Sequence, residues 1–208
     1  MKEHFDNFLN LRQLILDHKP SLIVECGAGS GEMTRQIAFM ERYYPFELRV
    51  ISDKPVEGLP GNVTFTKGVS YRAIPSLKDD SVGMCIIDTD HNYWTLRQEL
   101  EALIPKMQEG GLVVMHDVEE FYYDTGMGMS YWNDEPYPEE EIKSMTRLGG
   151  TGLSLIDFIH DFRGTFKLVR FIPESHGAAV IQKRTVKGTS IITPGPNPLF
   201  ARPMAGVS

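Results

Sequence analysis

The chain reads as a doubly wound α/β domain: a mostly parallel, seven-stranded sheet with helices alongside and an antiparallel edge. Three observations predict it. Short apolar runs alternate with helix-forming stretches over roughly ninety residues, the pattern of right-handed βαβ units. None of these runs is flanked by a hairpin turn signal, so each is expected to cross over to a parallel neighbour. Finally, 208 residues with 41% hydrophobic content suffice for one sizeable core but not comfortably for two domains.

In chain order, Phe5, Phe8, Leu9, Ile15 and Leu16 recur at helical spacing, and Pro20 closes this amphipathic helix. Leu22 to Cys26 is the first strand; it runs into the loop Gly27-Ala28-Gly29-Ser30-Gly31, and Glu32 to Arg42 is helix. Leu48 to Ser52, Val63 to Thr66 and Val82 to Ile87 are the next three strands, ending at Asp53, at Lys67-Gly68 and at Asp88. Trp94 to Met107 is predicted helical, with Leu96, Leu100, Leu103, Ile104 and Met107 on one face and Pro105 near its end. Gly110-Gly111 then releases the chain into a fifth strand, Leu112 to Met115, which ends at His116-Asp117. A further amphipathic helix is marked by Leu155, Ile156, Ile159 and Phe162. Phe166 to Phe171 and Ala178 to Gln182 flank the turn Glu174-Ser175-His176-Gly177 and are expected to make the antiparallel edge.

Two stretches break the alternation, one within a domain spanning 1–184 and one after it. The segment 118–152 is long, with eight acids among Phe121, Tyr122, Tyr123, Tyr131, Trp132 and Tyr137, and a connection of that length is expected to act as a lid. An oligomer contact or a solvated loop is the alternative. The tail 185–208, with four prolines and no periodicity, is expected to be extended or disordered unless a partner subunit holds it.

Charge and cysteine usage narrow the function classes. The net charge of −7, from 28 acids against 21 bases with no basic run, argues against nucleic acid. No apolar stretch is long enough to span a bilayer and the N-terminus lacks a signal-peptide core, so no membrane partner is expected. Cys26 and Cys85 fall within apolar strands, as buried thiols do in a reducing compartment, and a cytoplasmic location is the expectation.

Chemistry concentrates in Cys85 to Trp94, CIIDTDHNYW, where an apolar strand runs into Asp88, Asp90 and His91. Ligands of open parallel sheets bind beyond the carboxyl ends of the strands, which favours a site over a simple cap and turn. The glycine loop between the first strand and its helix lets backbone approach a ligand while the helix N-terminus offers free amides. Glu32 stands where the last glycine of a dinucleotide fingerprint belongs, which disfavours a nicotinamide cofactor. Asp53, at the end of the second strand, stands where an acid grips ribose hydroxyls in nucleoside-binding folds.

Glu25-Cys26-Gly27-Ala28-Gly29-Ser30-Gly31, an acid two residues before G-x-G-x-G, resembles the first motif of the class I S-adenosylmethionine-dependent methyltransferases. From Ser21 to Val118, and above all in DTDHNYW and EGGLVVMHDV, the chain resembles the subgroup holding macrocin-type sugar O-methyltransferases and cephalosporin-hydroxylase-like proteins. The resemblance implies a Rossmann-like fold. It also implies S-adenosyl-L-methionine bound by Glu25, Gly27, Ala28, Gly29, Ser30, Gly31, Asp53 and Asp88, with Gly68, Val69 and Ser70 beside the adenine. In metal-dependent relatives the fourth strand ends in a metal-binding Asp with a base three residues on, positions matched by Asp88 and His91. Their two further ligands correspond to His116 and Asp117.

A metal can depress the pKa of an acceptor hydroxyl while a neutral imidazole, ordinarily near 6.5, collects the proton. Asp88 and His91 are therefore the catalytic candidates, and Asp88, His116 and Asp117 the metal set. The usual carboxylate at position 116 is replaced by His, which weakens a preference for magnesium and admits manganese or another transition metal. Alternatively, Asp88 orients the acceptor, His91 bonds Asp117, and His116-Asp117 is a hydrogen-bonded pair without a metal. Asp90 is expected to cap the following helix, and Tyr93 and Trp94 to be core or cofactor-wall aromatics. The expected activity is O-methylation of a small molecule, sugar-bearing or amino-bearing, and a homo-oligomer is among the assemblies the chain is expected to form. The competing readings are an N-methyltransferase, an oxidative enzyme of the cephalosporin-hydroxylase type and a non-catalytic cofactor-binding protein.

Overall fold

The computed structural model describes residues 9–118, 150–172 and 177–185. Most of the segment 118–152, the turn Glu174-Ser175-His176 and the tail beyond Thr185 lie outside the described residues, as do Phe5 and Phe8. The elements are α1 (Leu9–His18), β1 (Leu22–Cys26), α2 (Glu32–Phe39), β2 (Glu47–Ser52), β3 (Val63–Lys67) and α3 (Ser70–Ala73). They continue as β4 (Val82–Ile87), α4 (Tyr93–Leu103), β5 (Met107–His116), α5 (Thr151–Asp161), β6 (Phe166–Ile172) and β7 (Ala178–Lys183).

All seven strands join one sheet in the order β3-β2-β1-β4-β5-β7-β6. The first five are parallel, and β7 enters antiparallel between β5 and β6. The expected antiparallel pair therefore exists, with the antiparallel strand one position inside the edge. Every residue of β1 and β4 is buried, as a parallel sheet covered on both faces requires. Strand alternation divides the core. Val24, Cys26, Cys85, Ile87, Val113 and Met115 pack with Leu96, Leu100 and Leu103 of α4 and Phe158 of α5. Ile23, Met84, Ile86 and Val114 pack with Leu11 and Ile15 of α1 and Ile37 and Ala38 of α2. Cys26 and Cys85 are buried free thiols, and among the described residues no helix is long and apolar enough to cross a membrane.

Three boundaries differ from the sequence expectation. The helix predicted to reach Met107 stops at Leu103: Ile104 keeps helical φ and ψ, but Pro105 has no N–H to continue the ladder. Met107 already pairs with Val82, and the register then jumps to Met84↔Leu112 around Gly110, whose φ of 76° suits a glycine-bearing irregularity. The helix predicted over Glu32 to Arg42 is α-helical only to Phe39 and tightens into a 3-10 turn over Met40–Arg42.

The arrangement fixes where a ligand can lie. Strand order reverses between β1 and β4, the topological switch of a doubly wound sheet, and the crevice opens beyond their carboxyl ends. Gly27 to Gly31, Asp53, Gly68 to Ser70, Asp88 to His91 and His116-Asp117 all follow strands at that end.

Candidate functional site

The glycine loop is shaped by three left-handed residues, Gly27, Gly29 and Gly31, with φ of 83°, 50° and 74°. Gly27 donates to the Ile51 carbonyl at 2.9 Å and Gly31 to that of Ala28 at 2.7 Å. A side chain at 27 would strike the Asp88 carbonyl, whereas position 29 faces open space, so the loop presses on β4 at one point and leaves a cradle at another. No side chain caps α2, whose first amides remain available to a ligand. Arg35 donates to the Ser30 and Glu57 carbonyls and braces the loop from outside.

Two acids border this cradle with unmet hydrogen-bonding capacity. Glu25 is 0% exposed, and neither carboxylate oxygen has a hydrogen-bond partner. Burial, opposed by nearby Thr34 and reinforced by the Asp88 charge, pushes it up to about 7. Asp53 likewise carries a buried, unpartnered Oδ2, and burial together with the Asp90 charge raises its pKa. Buried acceptors left without partners next to the glycine loop are groups that a ligand bearing hydroxyl and amino donors would satisfy, as the nucleoside and amino-acid ends of S-adenosylmethionine do.

Across the loop, the ends of β4 and β5 bring two carboxylates and two imidazoles together. His91 Nε2 lies 2.9 Å from Asp117 Oδ2 and 3.7 Å from Asp88 Oδ1. His116 Nδ1 lies 2.8 Å from the same Asp117 oxygen and 3.7 Å from the same Asp88 oxygen. Asp117 adopts a left-handed φ of 53°, and the Thr151 hydroxyl at the start of α5 donates to its carbonyl. A non-glycine residue held so by its surroundings is a feature of functional sites.

The electrostatics of the cluster are reciprocal. Burial works to lower the pKa of both imidazoles, yet the two carboxylates outweigh it and raise His91 to about 10 and His116 to about 9. Burial works to raise Asp88 and Asp117, and the imidazoles outweigh it and hold both low. As it stands, the cluster is two charges of each sign at neutral pH. The sequence alone makes His91 an ordinary imidazole near 6.5; in the ion-free site Asp117 and Asp88 both favour its protonated form.

Asp88, His116 and Asp117 each offer an atom within 4.8 Å of the others, a set of two oxygens and one nitrogen able to hold a divalent cation. The expected cap is also corrected: Asn92, not Asp90, caps α4, its side chain accepting from Thr95 N–H at 2.8 Å. Asp90 instead acts electrostatically on Asp53 and on Glu99. Tyr93 is core and donates its hydroxyl to Asp157 at 2.8 Å, while Trp94 meets Tyr71 edge to face.

Two contributors escaped sequence reasoning. Glu99, fully buried in α4, accepts hydrogen bonds from Ser70 and Thr89. Its signal was present, since it lies three residues after Leu96 and four before Leu103, an acid on the apolar face. Thr151 carried no local signal, being far from Asp117 in sequence.

Residues 17–118 match a family model described as a methyltransferase domain. No curated protein sequence matches the chain. Among solved structures, a candidate caffeoyl-CoA O-methyltransferase from Staphylococcus aureus is similar at 17% identity and TM-score 0.57, covering 83% of this chain and 80% of that one. The Podospora anserina methyltransferase PaMTH1, bound to S-adenosylhomocysteine, is 15% identical with TM-score 0.57, over 84% of this chain and 76% of that one. MycE from the mycinamycin biosynthetic pathway, in complex with Mg, S-adenosylhomocysteine and mycinamycin VI, is 17% identical with TM-score 0.57. That match covers 92% of this chain but 51% of MycE.

Proposed function

Starting from a chain that belongs to the class I S-adenosylmethionine-dependent methyltransferases, we propose that it is an O-methyltransferase acting on a hydroxyl of a small molecule with a divalent metal. The observation that carries this reading is the convergence of Asp88, His91, His116 and Asp117 beside the glycine loop. A protein that only bound the cofactor would need the loop but not this second cluster.

Bound S-adenosylmethionine supplies a methyl group on a sulfonium, displaced in line with a neutral thioether leaving. The protein has two tasks, to align donor with acceptor and to take the acceptor's proton. Gly27 to Gly31 and the free amides of α2 seat the donor, Asp53 takes the ribose hydroxyls, and Glu25 faces the cradle from behind. Gly68, Val69 and Ser70 line the adenine end, and Asp88 stands between donor and acceptor. Asp88, His116 and Asp117 would hold a divalent cation, which would supply positive charge to depress the acceptor pKa and to offset the carboxylates that keep the proton on His91. His91 is the residue that would then collect the acceptor proton. With an imidazole among the ligands, manganese or another transition metal suits the set as well as magnesium.

The acidic, aromatic segment 118–152 is proposed as the lid that selects a sugar-bearing or amino-bearing acceptor, a reading supported by its composition and by the mycinamycin bound to MycE. The two buried thiols support a cytoplasmic enzyme.

A second reading is favoured by the 2.8 and 2.9 Å contacts that let Asp117 bind both imidazoles without an ion. In it, the cluster orients the acceptor and no metal takes part. Methyl transfer from S-adenosylmethionine to a panel of hydroxylated and aminated glycosides separates the two. The metal reading requires turnover lost on exhaustive chelation, restored by manganese or magnesium, and lost again in Asp88→Asn. Turnover that survives both chelation and Asp88→Asn refutes it in favour of the second, and methylation at nitrogen overturns the O-methyl assignment.

A further inference from the structure

A further recess lies at the other end of the sheet. About 600 Å³ in volume, it is lined by Phe39, Tyr43, Tyr44 and Pro45, with Glu41 and Arg42 at its edge. These residues sit between the end of α2 and the start of β2, at the amino ends of the parallel strands, so the recess is separate from the crevice beside Asp88. Phe39 is 53% and Tyr43 52% exposed, so core packing accounts for neither ring. Both meet cations: the Arg42 guanidinium lies 3.1 Å from the Phe39 ring centroid and that of Arg12 lies 5.4 Å from the Tyr43 centroid.

The hydroxyls of the recess are free to donate. Arg12 donates to the Tyr43 hydroxyl at 3.0 Å, which leaves that hydroxyl its own hydrogen. The Tyr44 hydroxyl oxygen is buried and has no hydrogen-bond partner among the described residues, and burial pushes its pKa up to about 12, so it keeps its proton. The Glu41 carboxylate is taken by Asn62. Exposed rings with phenol donors between them suit a peptide rich in apolar rings and carbonyls and poor in N–H groups. A proline-rich extended segment is such a peptide.

The sequence supplies one. Thr193-Pro194-Gly195-Pro196-Asn197-Pro198 alternates proline with residues that a following proline biases to extended geometry, so little conformational freedom is lost on docking. Its point of departure also matches. β7 runs antiparallel to β5, and Lys183 at its end donates from Nζ to the carbonyl of Met107, the first residue of β5, at 2.7 Å. The described chain therefore stops at Thr185 on the same end of the sheet as the recess. From β7 to β2 is four strand spacings, about 19 Å along the sheet, and the helical layer lies about 10 Å off it, roughly 21 Å in a line. Residues 186–193 can span about 26 Å when extended, enough to bring Pro194 there.

We propose that the recess at the end of α2 is a docking site for proline-rich extended peptide, and that its occupant is the chain's own segment 193–200, with proline rings against Phe39 and Tyr43 and carbonyls on the two tyrosine hydroxyls. The full chain with Phe200 replaced by the photo-cross-linking p-benzoylphenylalanine tests this. Irradiation and peptide mapping are expected to link position 200 to residues 38–45 of the same copy, with mixed isotopically heavy and light chains identifying the copy. Tyr44→Phe, which deletes only the hydroxyl, and Tyr43→Ser, which removes an exposed ring, are each expected to lower the yield about fivefold. A yield unchanged in both variants overturns the proposal. It is overturned equally by a link to β6, whose exposed Leu168, Val169 and Phe171 lie on the strand next to β7, by links found only between heavy and light copies, or by no link at all.

Discussion

Replacing Gly27 by alanine places a methyl carbon 1.9 Å from the Asp88 carbonyl oxygen, 2.6 Å from its carbonyl carbon and 3.1 Å from the Thr89 Cα. An ordinary carbon-to-oxygen approach is about 3.3 Å, so roughly 1.4 Å of separation must be found. All three obstructing atoms are backbone and none can swing aside. The Gly27 N–H bond to Ile51 and the Asp88 N–H bond to Cys26, both 2.9 Å, resist the movement. Losing one or both costs about 1 kcal/mol each, and a side chain at φ 83° costs about 1–2 kcal/mol more. The substitution should therefore destabilise by about 3–4 kcal/mol, roughly 10 °C in melting temperature for a domain of this size. Because the displaced carbonyl belongs to Asp88, affinity for S-adenosylhomocysteine should fall more than about tenfold even well below the melting point. Gly29→Ala is the control, since position 29 has a left-handed φ but open space around it, and its cost should stay near 1–2 kcal/mol. Thermal denaturation and calorimetric titration of the two variants decide the matter. If Gly27→Ala melts and binds like Gly29→Ala, the loop does not rest on Asp88 as described.

Three further outcomes follow from the charged groups. His91 and His116 have folded-state pKa values of about 10 and about 9 against an ordinary 6.5, so their stabilisation is complete below 6.5 and is lost as pH rises through 9 to 10. Urea unfolding at pH 7 and pH 10 should differ by an amount on the order of 3 kcal/mol for each imidazole, and a His91→Gln chain with the same pH dependence as wild type would contradict this. Manganese binding should strengthen with pH, because His116 must shed its proton to ligate: about tenfold per pH unit below about 9, hence roughly a hundredfold from pH 6.5 to 8.5. A flat profile by calorimetry would remove His116 from the ligand set. Arg97 of α4, 2% exposed at its side chain, bonds Asp161 of α5 at 2.7 Å and Glu101, one turn on in its own helix, at 2.6 Å. Asp161→Ala, which leaves a buried guanidinium short of a partner, should cost about 3 kcal/mol and more than Arg97→Met, which frees two partly exposed carboxylates. The reverse order in chemical denaturation would mean that the Arg97 stem, packed on Phe158 and Phe162, matters more than its charge.

What could be read in the sequence was whatever a short stretch encodes by itself. Seven apolar runs specify strands, the ligand-type residues that end five of them mark a functional rim, and an acid before G-x-G-x-G specifies a loop, because these depend on neighbours in the chain. The cap of α4 was misassigned to Asp90 at the same local level: Asn92 and Asp90 are both capping residues, and the frame is decided by where Thr95 turns into the helix. Protonation was beyond local reach. Asp88 and His91 are three residues apart, but the proton on His91 depends on Asp117, which arrives through the β4–β5 pairing of Ile87 with Met115. That pairing changes the chemistry required of the site. A histidine near 6.5 is a base by default, whereas one held near 10 is an acid until the carboxylates around it find another positive charge. The contacts that obstruct base catalysis in the ion-free cluster thus set the condition on the proposed metal reading: a cation held by Asp88 and Asp117 would have to free His91 to take a proton from the acceptor.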